Sequence, residues 1–445
     1  MKNMLCYNRD FHRHSSGYFS LRMRIRHLLG VCASGQLLLL FLIGCGSSSA
    51  PNPNPVSGIK KRVLLANQQG VVTIMDGQLD KLSAHSVAVS GPSKMLTAGG
   101  ITLIQETTTN RVTVFDNTTE QVTFTPPTSS IPFDIALSPD GKTAWAAVRN
   151  PGFVQAIDTA TGNVLASIPV PNAVRLVMSP QGTRLLAFSD NPQSLSPADS
   201  FFLINTANAS NSTTATPVTE SPGDQPFTAV FNGNDDHAFI LNCGSECGGV
   251  NPAGSATPTG SSVALADLTL PAVGQRVAVA GATAALLNGT NLFVAGTPAT
   301  PPAGFTCPAV PGTCGTLQTI NTSSLAPSAP VAITDGLHGP MALTSNNQLY
   351  VGAANCTTQS AGAGLVRGCL SIVDAGSSTA SFPAESGFRQ NFDVTGLQPI
   401  SGRNVIYVVQ GDELDFFDIT TGAVSTTITP IDVVGKASDV LQIDP

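Results

Sequence analysis

The sequence predicts an all-β protein: a single β-propeller of about eight four-stranded blades, with seven as the alternative count. Three observations carry this. A short signature, two or three apolar residues followed by Asp or Asn and then small turn-forming residues, recurs eight times after residue 62. A Ser-Pro-x-Gly turn appears at Ser138–Gly141 and again at Ser179–Gly182. No amphipathic helical periodicity interrupts the series, and a chain of antiparallel meanders with strand edges to hide closes most simply into a ring.

Residues 1–44 precede this ring and read as an export signal. Arg22, Arg24 and Arg26 flank an apolar stretch of 16 residues, Leu28 to Ile43, shorter than the roughly 20 that a membrane-spanning helix needs. A signal beginning at Met23 would be complete, which makes Met23 a candidate start of the natural chain. The stretch ends in Leu42-Ile43-Gly44-Cys45, which resembles the lipobox of bacterial lipoproteins. That resemblance implies that Cys45 is lipidated and becomes the first residue after cleavage. It also implies the outer rather than the inner membrane, because Gly46 stands where an inner-membrane lipoprotein carries Asp. Residues 45–59, rich in Ser, Pro and Asn, form an extended tether. The folded domain is expected over 60–445.

The eight signatures end at Asp76, Asp116, Asp158, Asn205, Asp267, Asn321, Asp374 and Asp418, spaced 40 to 62 residues apart. At a strand end a short carboxylate or amide side chain accepts the backbone N–H two residues on and starts a turn, so these positions read as structural. The clearest unit runs from Pro132 to Val170 and divides into four strands. In its Ser138-Pro-Asp-Gly141 turn, Pro sets φ and Gly supplies the positive-φ position. The segment Lys436 to Pro445 reads as an innermost strand, whereas the N-terminal unit begins at a second strand, Arg62–Ala66. The C-terminal strand is therefore expected to complete the first blade and close the ring. Ser138–Gly141 with Ala156-Ile-Asp-Thr-Ala-Thr-Gly162, and Phe417-Asp-Ile-Thr-Thr-Gly422, make the chain similar to lactonase-like, YVTN-type bacterial propellers. The resemblance implies the fold and offers lactonase-like hydrolysis as one activity; fold alone does not fix function.

Only 11% of residues are charged, so Ser, Thr, Asn, Gln and Gly must cover much of the surface. Removing 1–44, with six basic residues and one acid, leaves 15 basic and 27 acidic residues and a net charge of −12. Such a chain repels phosphate backbones, and nucleic acid is excluded as a partner. Six cysteines follow Cys45: Cys243, Cys247, Cys307, Cys314, Cys356 and Cys369. An even number in an exported chain points to disulfides, and pairing in sequence order is the simplest of 15 connectivities. Each pair then staples the connection from the second to the third strand of one blade. All three stapled loops would share the face that carries the channel mouth, a candidate docking surface.

Aligning the innermost strands places Asp439, Lys94, Asp134, Arg175 and Asp393 at one equivalent position, together with Thr228, Ala284 and Pro340. This ring of charge reads either as a set of ion pairs or as a site for a cation or polar ligand. No cofactor is expected, although the three carboxylates would suit a divalent cation such as calcium. No nucleophile, phosphate-loop, dinucleotide or zinc motif is present, and no catalytic residue is assigned. Asp235-Asp236-His237 reads as a solvated turn. The sequence favours a monomeric, envelope-anchored binding or scaffold propeller whose partner is an envelope protein, a glycan or a small molecule. The alternative is a hydrolase using the channel carboxylates.

Overall fold

The computed structural model describes residues 57–207, 214–220, 224–248, 260–307, 314–386, 392–433 and 435–444. Cys45 and the export signal lie outside the described residues. Ser57 bonds Glu120 through its hydroxyl at 2.6 Å, and Ile59 packs against the first two blades.

Eight antiparallel sheets form a ring of eight blades. From blade 2 to blade 8 the innermost strands are Pro92–Ala98, Asp134–Leu137, Ala173–Met178, Pro226–Phe231, Ala284–Asn288, Leu337–Leu343 and Val394–Pro399. Blade 1 is completed by Ala437–Gln442, which pairs with Arg62–Asn67, as the two chain ends predict. Innermost strands of successive blades are neighbours all round, and that of blade 8 packs on that of blade 1, so the ring of blades is closed.

The core divides in the same way. Eight clusters of buried apolar residues lie one in each seam between adjacent blades. Alternation along a strand produces this: Trp145 and Ala147 face blade 4, while Ala144 and Ala146 face blade 2. Both faces of each blade are buried, so the strands are apolar nearly throughout, and Thr143–Val148 is buried at every residue after the first.

All eight signature residues end a third strand and accept the N–H two residues on, at 2.7 to 3.1 Å, from Asp76 to Gln78 through Asp418 to Thr420. Gly141 and Gly182 adopt φ of +72° and donate to Ser138 and Ser179, as the Ser-Pro-x-Gly reading requires. Asp235 is no solvated turn residue. Its carboxylate is buried and binds Ser179 Oγ at 2.6 Å and Gln181 N at 3.0 Å, clamping the turn of blade 4 to blade 5.

The disulfides are Cys243–Cys247, Cys307–Cys314 and Cys356–Cys369, the sequential pairing. All three bridge second-to-third connections, in blades 5, 6 and 7. The third encloses two strands, Gln359–Gly362 and Leu365–Arg367, that join Ala384–Ser386 in a small accessory sheet. Three disulfides assign this domain to an oxidising compartment.

Candidate ligand site at the channel mouth

Inner strands enter from the face that carries the links between blades, so residues near their starts surround the channel mouth. Most of these strands have a register shift there, for example between Ala173 and Arg175 and between Pro226 and Thr228. The bulge tightens the local twist and aims the following side chain at the axis. Counted from the paired second strand, the equivalent positions are Asp439 opposite Ala66, Asp134 opposite Ala147, Arg175 opposite Phe188, Thr228 opposite Leu241 and Ala284 opposite Ala295. Lys94 occupies the corresponding place beside Met95, which faces Ile104.

Blade 8 departs from the expected alignment. Its register places Gly396 opposite Val409 in the ring, while Asp393 precedes the strand. A Cβ at residue 396 would lie 2.9 Å from Val440 N and 3.2 Å from Asp439 Oδ1, so the blades approach too closely there for a side chain. The charged positions thus form one arc over blades 1 to 4, alternating acid and base. Blades 5 to 8 contribute Thr228, Ala284, Pro340 and Gly396 at the equivalent positions.

The carboxylates of the arc are already engaged. Asp134 receives Lys94 Nζ at 2.6 Å and the Leu176 backbone N–H of the next blade at 2.8 Å. Asp439 receives Met95 N at 2.7 Å, also from the next blade, and Val440 N at 2.8 Å. Burial nevertheless pushes the Asp439 carboxyl up to about 7, against those bonds and the Lys94 charge. Asp393 accepts Asn355 N at 2.7 Å and pairs with Lys436 at 3.5 Å. These acids fasten blade to blade. Among the described residues no group of three His, Cys, Asp or Glu side chains is arranged to hold a metal ion.

Inside the arc lies a cavity of about 920 Å³, bounded by the starts of the inner strands of blades 2 to 8. Lys94, Asp134 and Arg175 line it; Asp439 and Asp393 do not. Arg175 lies over the ring of Phe227 with its guanidinium carbon 3.4 Å from the centroid. No acceptor among the described residues bonds this guanidinium. Burial pulls the Arg175 pKa down to about 10, with the neighbouring Asp134 charge opposing. Asp190, also on the lining, is ion-paired with Arg149, which stands over Phe133 at 5.6 Å. His338 is fully buried, with Nε2 2.9 Å from Thr334 O and its pKa lowered to about 4, so the imidazole is neutral. Spacing alone identifies none of Phe227, Asp190 or His338. Phe227 adjoins the ring residue Thr228, but it meets Arg175 only because blades 4 and 5 are neighbours.

The fold and this mouth define an eight-bladed propeller whose channel cavity has an apolar wall facing an arc of charged side chains. No family model and no curated protein matches the sequence. Among solved structures, the chain is similar to dihydro-heme d1 dehydrogenase NirN in complex with DHE, at 10% identity over 88% of this chain and 79% of that one, TM-score 0.63. It is also similar to Kuenenia stuttgartiensis hydrazine synthase, at 15% identity over 77% and 96%, TM-score 0.51. A third is BamB from Moraxella catarrhalis, at 9% identity over 78% and 89%, TM-score 0.51. Likenesses at this identity carry the fold alone.

Proposed function

We propose that this chain is an exported, lipid-anchored binding propeller that takes a small molecule into its channel mouth. The observation that carries the reading is a cavity of about 920 Å³ on the ring axis, within the range that small ligands occupy, while the carboxylates a hydrolase would use already bond across the seams between blades and two of the three, Asp439 and Asp393, do not line the cavity. A lactonase-like, metal-dependent site would need those lone pairs free. The three disulfides sit at second-to-third strand connections of blades 5 to 7, on the mouth's side of the ring, where a larger envelope partner or glycan would also approach. Cys45 would fix the domain to the membrane, with the outer membrane favoured by Gly46.

Two measurements test this. Palmitate labelling in a bacterial host should mark the wild-type chain and not Cys45→Ala. Thermal unfolding of the full chain in detergent should rise with small organic ligands, because binding to the native state alone stabilises it. Lactone hydrolysis that is lost in Asp134→Asn, Asp393→Asn and Asp439→Asn would overturn the binding reading.

A further inference from the structure

We infer that the cavity's ligand is an organic anion: its carboxylate is taken by Arg175 and its apolar body rests against the wall opposite the charged arc. This rests on the binding reading above and adds the sign and shape of what is bound. Asp134 is answered by Lys94 and Asp190 by Arg149, and His338 is neutral. Arg175 is the cation left over. A guanidinium lining a cavity with no hydrogen-bond acceptor has lost much of its water and gained only the Phe227 ring and an Asp134 charge already bonded to Lys94, a state that costs stability unless a ligand completes it. In a chain whose charge after residue 44 is −12, one unanswered cation at the axis is a local reversal of sign.

The geometry selects the ligand further. The 3.4 Å between the guanidinium carbon and the Phe227 centroid is a stacking distance, and a stacked guanidinium keeps its edge N–H groups, the ones that fork onto a carboxylate, for a ligand. The rest of the wall is mostly apolar, with Ala284, Leu337, Pro340 and Val394 on the lining. A bare inorganic anion would leave that wall facing water, whereas an organic acid covers it. A cation is disfavoured because the nearest carboxylate, Asp134, already holds Lys94 and two backbone N–H groups.

The test is titration calorimetry on the full chain at pH 7.5 with 4-phenylbutyrate, its amide and inorganic phosphate, using wild type and Arg175→Met. The acid should bind at least tenfold more tightly than the amide and than phosphate. Arg175→Met should lose at least tenfold for the acid, leave the amide unchanged, and show an unliganded Tm equal to or above wild type, since an unpaired cation has been removed. Equal affinity for acid and amide, phosphate binding as tightly as the acid, or no heat from any probe would overturn the inference. So would a fall of several degrees in the Tm of Arg175→Met, which would make the Arg175–Phe227 stack a structural support. If the thermal screen finds a neutral or cationic channel ligand, the anion inference fails and the binding reading stands; Asp-dependent lactone turnover removes the binding reading itself.

Discussion

Replacing Arg403 with Met should weaken the seam at which the ring closes, by about 3–5 kcal/mol. Arg403 lies in the turn between the first two strands of blade 8, and Asp80 in the turn between the last two of blade 1. The guanidinium grips the Asp80 carboxylate with both terminal nitrogens, Nη2 to Oδ2 at 2.7 Å, and also donates to Gly77 O at 2.6 Å. Tyr407, fully buried and edge-on to Phe416 at 4.8 Å, donates its hydroxyl to the same carboxylate. The Asp80 side chain is 9% exposed, so without Arg403 a nearly buried anion keeps only the tyrosine. At about 2.1 cal/mol/K per residue, the roughly 390 residues from Ser57 to Asp444 unfold with an entropy of about 0.8 kcal/mol/K, so this loss should lower Tm by about 4–6 °C. Asp80→Asn is tolerated sterically at its φ of +55° and removes the stranded charge. The double variant should therefore recover about 2 kcal/mol relative to the sum of the single changes. Trp145, the sole tryptophan and fully buried, reports the transition by fluorescence. Additive losses, or an Arg403→Met shift below about 1 °C, would refute the closure argument.

Three further outcomes follow from particular contacts. A Cβ at Gly296 would sit 2.3 Å from Ala282 N and 2.7 Å from Glu246 Oε2, so Gly296→Ala should cost about 3 kcal/mol or more and be read as a fall in Tm. Replacing Cys356 and Cys369, 13 apart in sequence, with Ser should remove up to about 3 kcal/mol from the accessory sheet and speed proteolysis within 357–368, leaving cleavage elsewhere unchanged. Glu246 is pushed up to about 7 by burial, against bonds from Thr297 N and Ala282 N. Its native form holds a proton that the unfolded chain releases near 4.5, so its contribution is present below about pH 4.5 and is lost as pH rises to about 7. Tm measured from pH 4.5 to 7.5 should show wild type losing up to roughly 3 kcal/mol relative to Glu246→Gln; parallel curves would refute this.

The fold was legible because each blade repeats a local rule. The strand-end Asp or Asn must start a turn, and Ser-Pro-x-Gly must make one, whatever surrounds them. The disulfide pairing was legible because each pair closes one short loop within one blade. The channel was legible only in part. Residue counting aligned Asp393 with the arc because it cannot see where a bulge adds a residue, and blade 8 has Gly396 at the position that faces blade 1. Counting also cannot tell a free carboxylate from one that accepts the N–H of the next blade, as Asp439 does from Met95 and Asp134 from Leu176.

That difference reverses the chemical reading of the mouth. Three acids and two bases in a ring suggest a cation site while all five are taken as equivalent. Once the acids are spent on holding blades together, the group with donors to spare is Arg175, placed by a residue 52 positions away on the neighbouring blade. The same close approach of blades at the axis explains both results. It forces carboxylates to bond across seams and excludes a side chain at Gly396, and it brings Phe227 under the guanidinium. A ring that widened by even one blade would relax all of these contacts together, so ligand affinity at Arg175 and closure at Asp80 and Arg403 should weaken in concert when the seam between blades 8 and 1 is loosened. Measuring acid binding in Arg403→Met, 30 °C below its own Tm, checks this: unchanged affinity would show that the mouth holds its geometry independently of the closing seam.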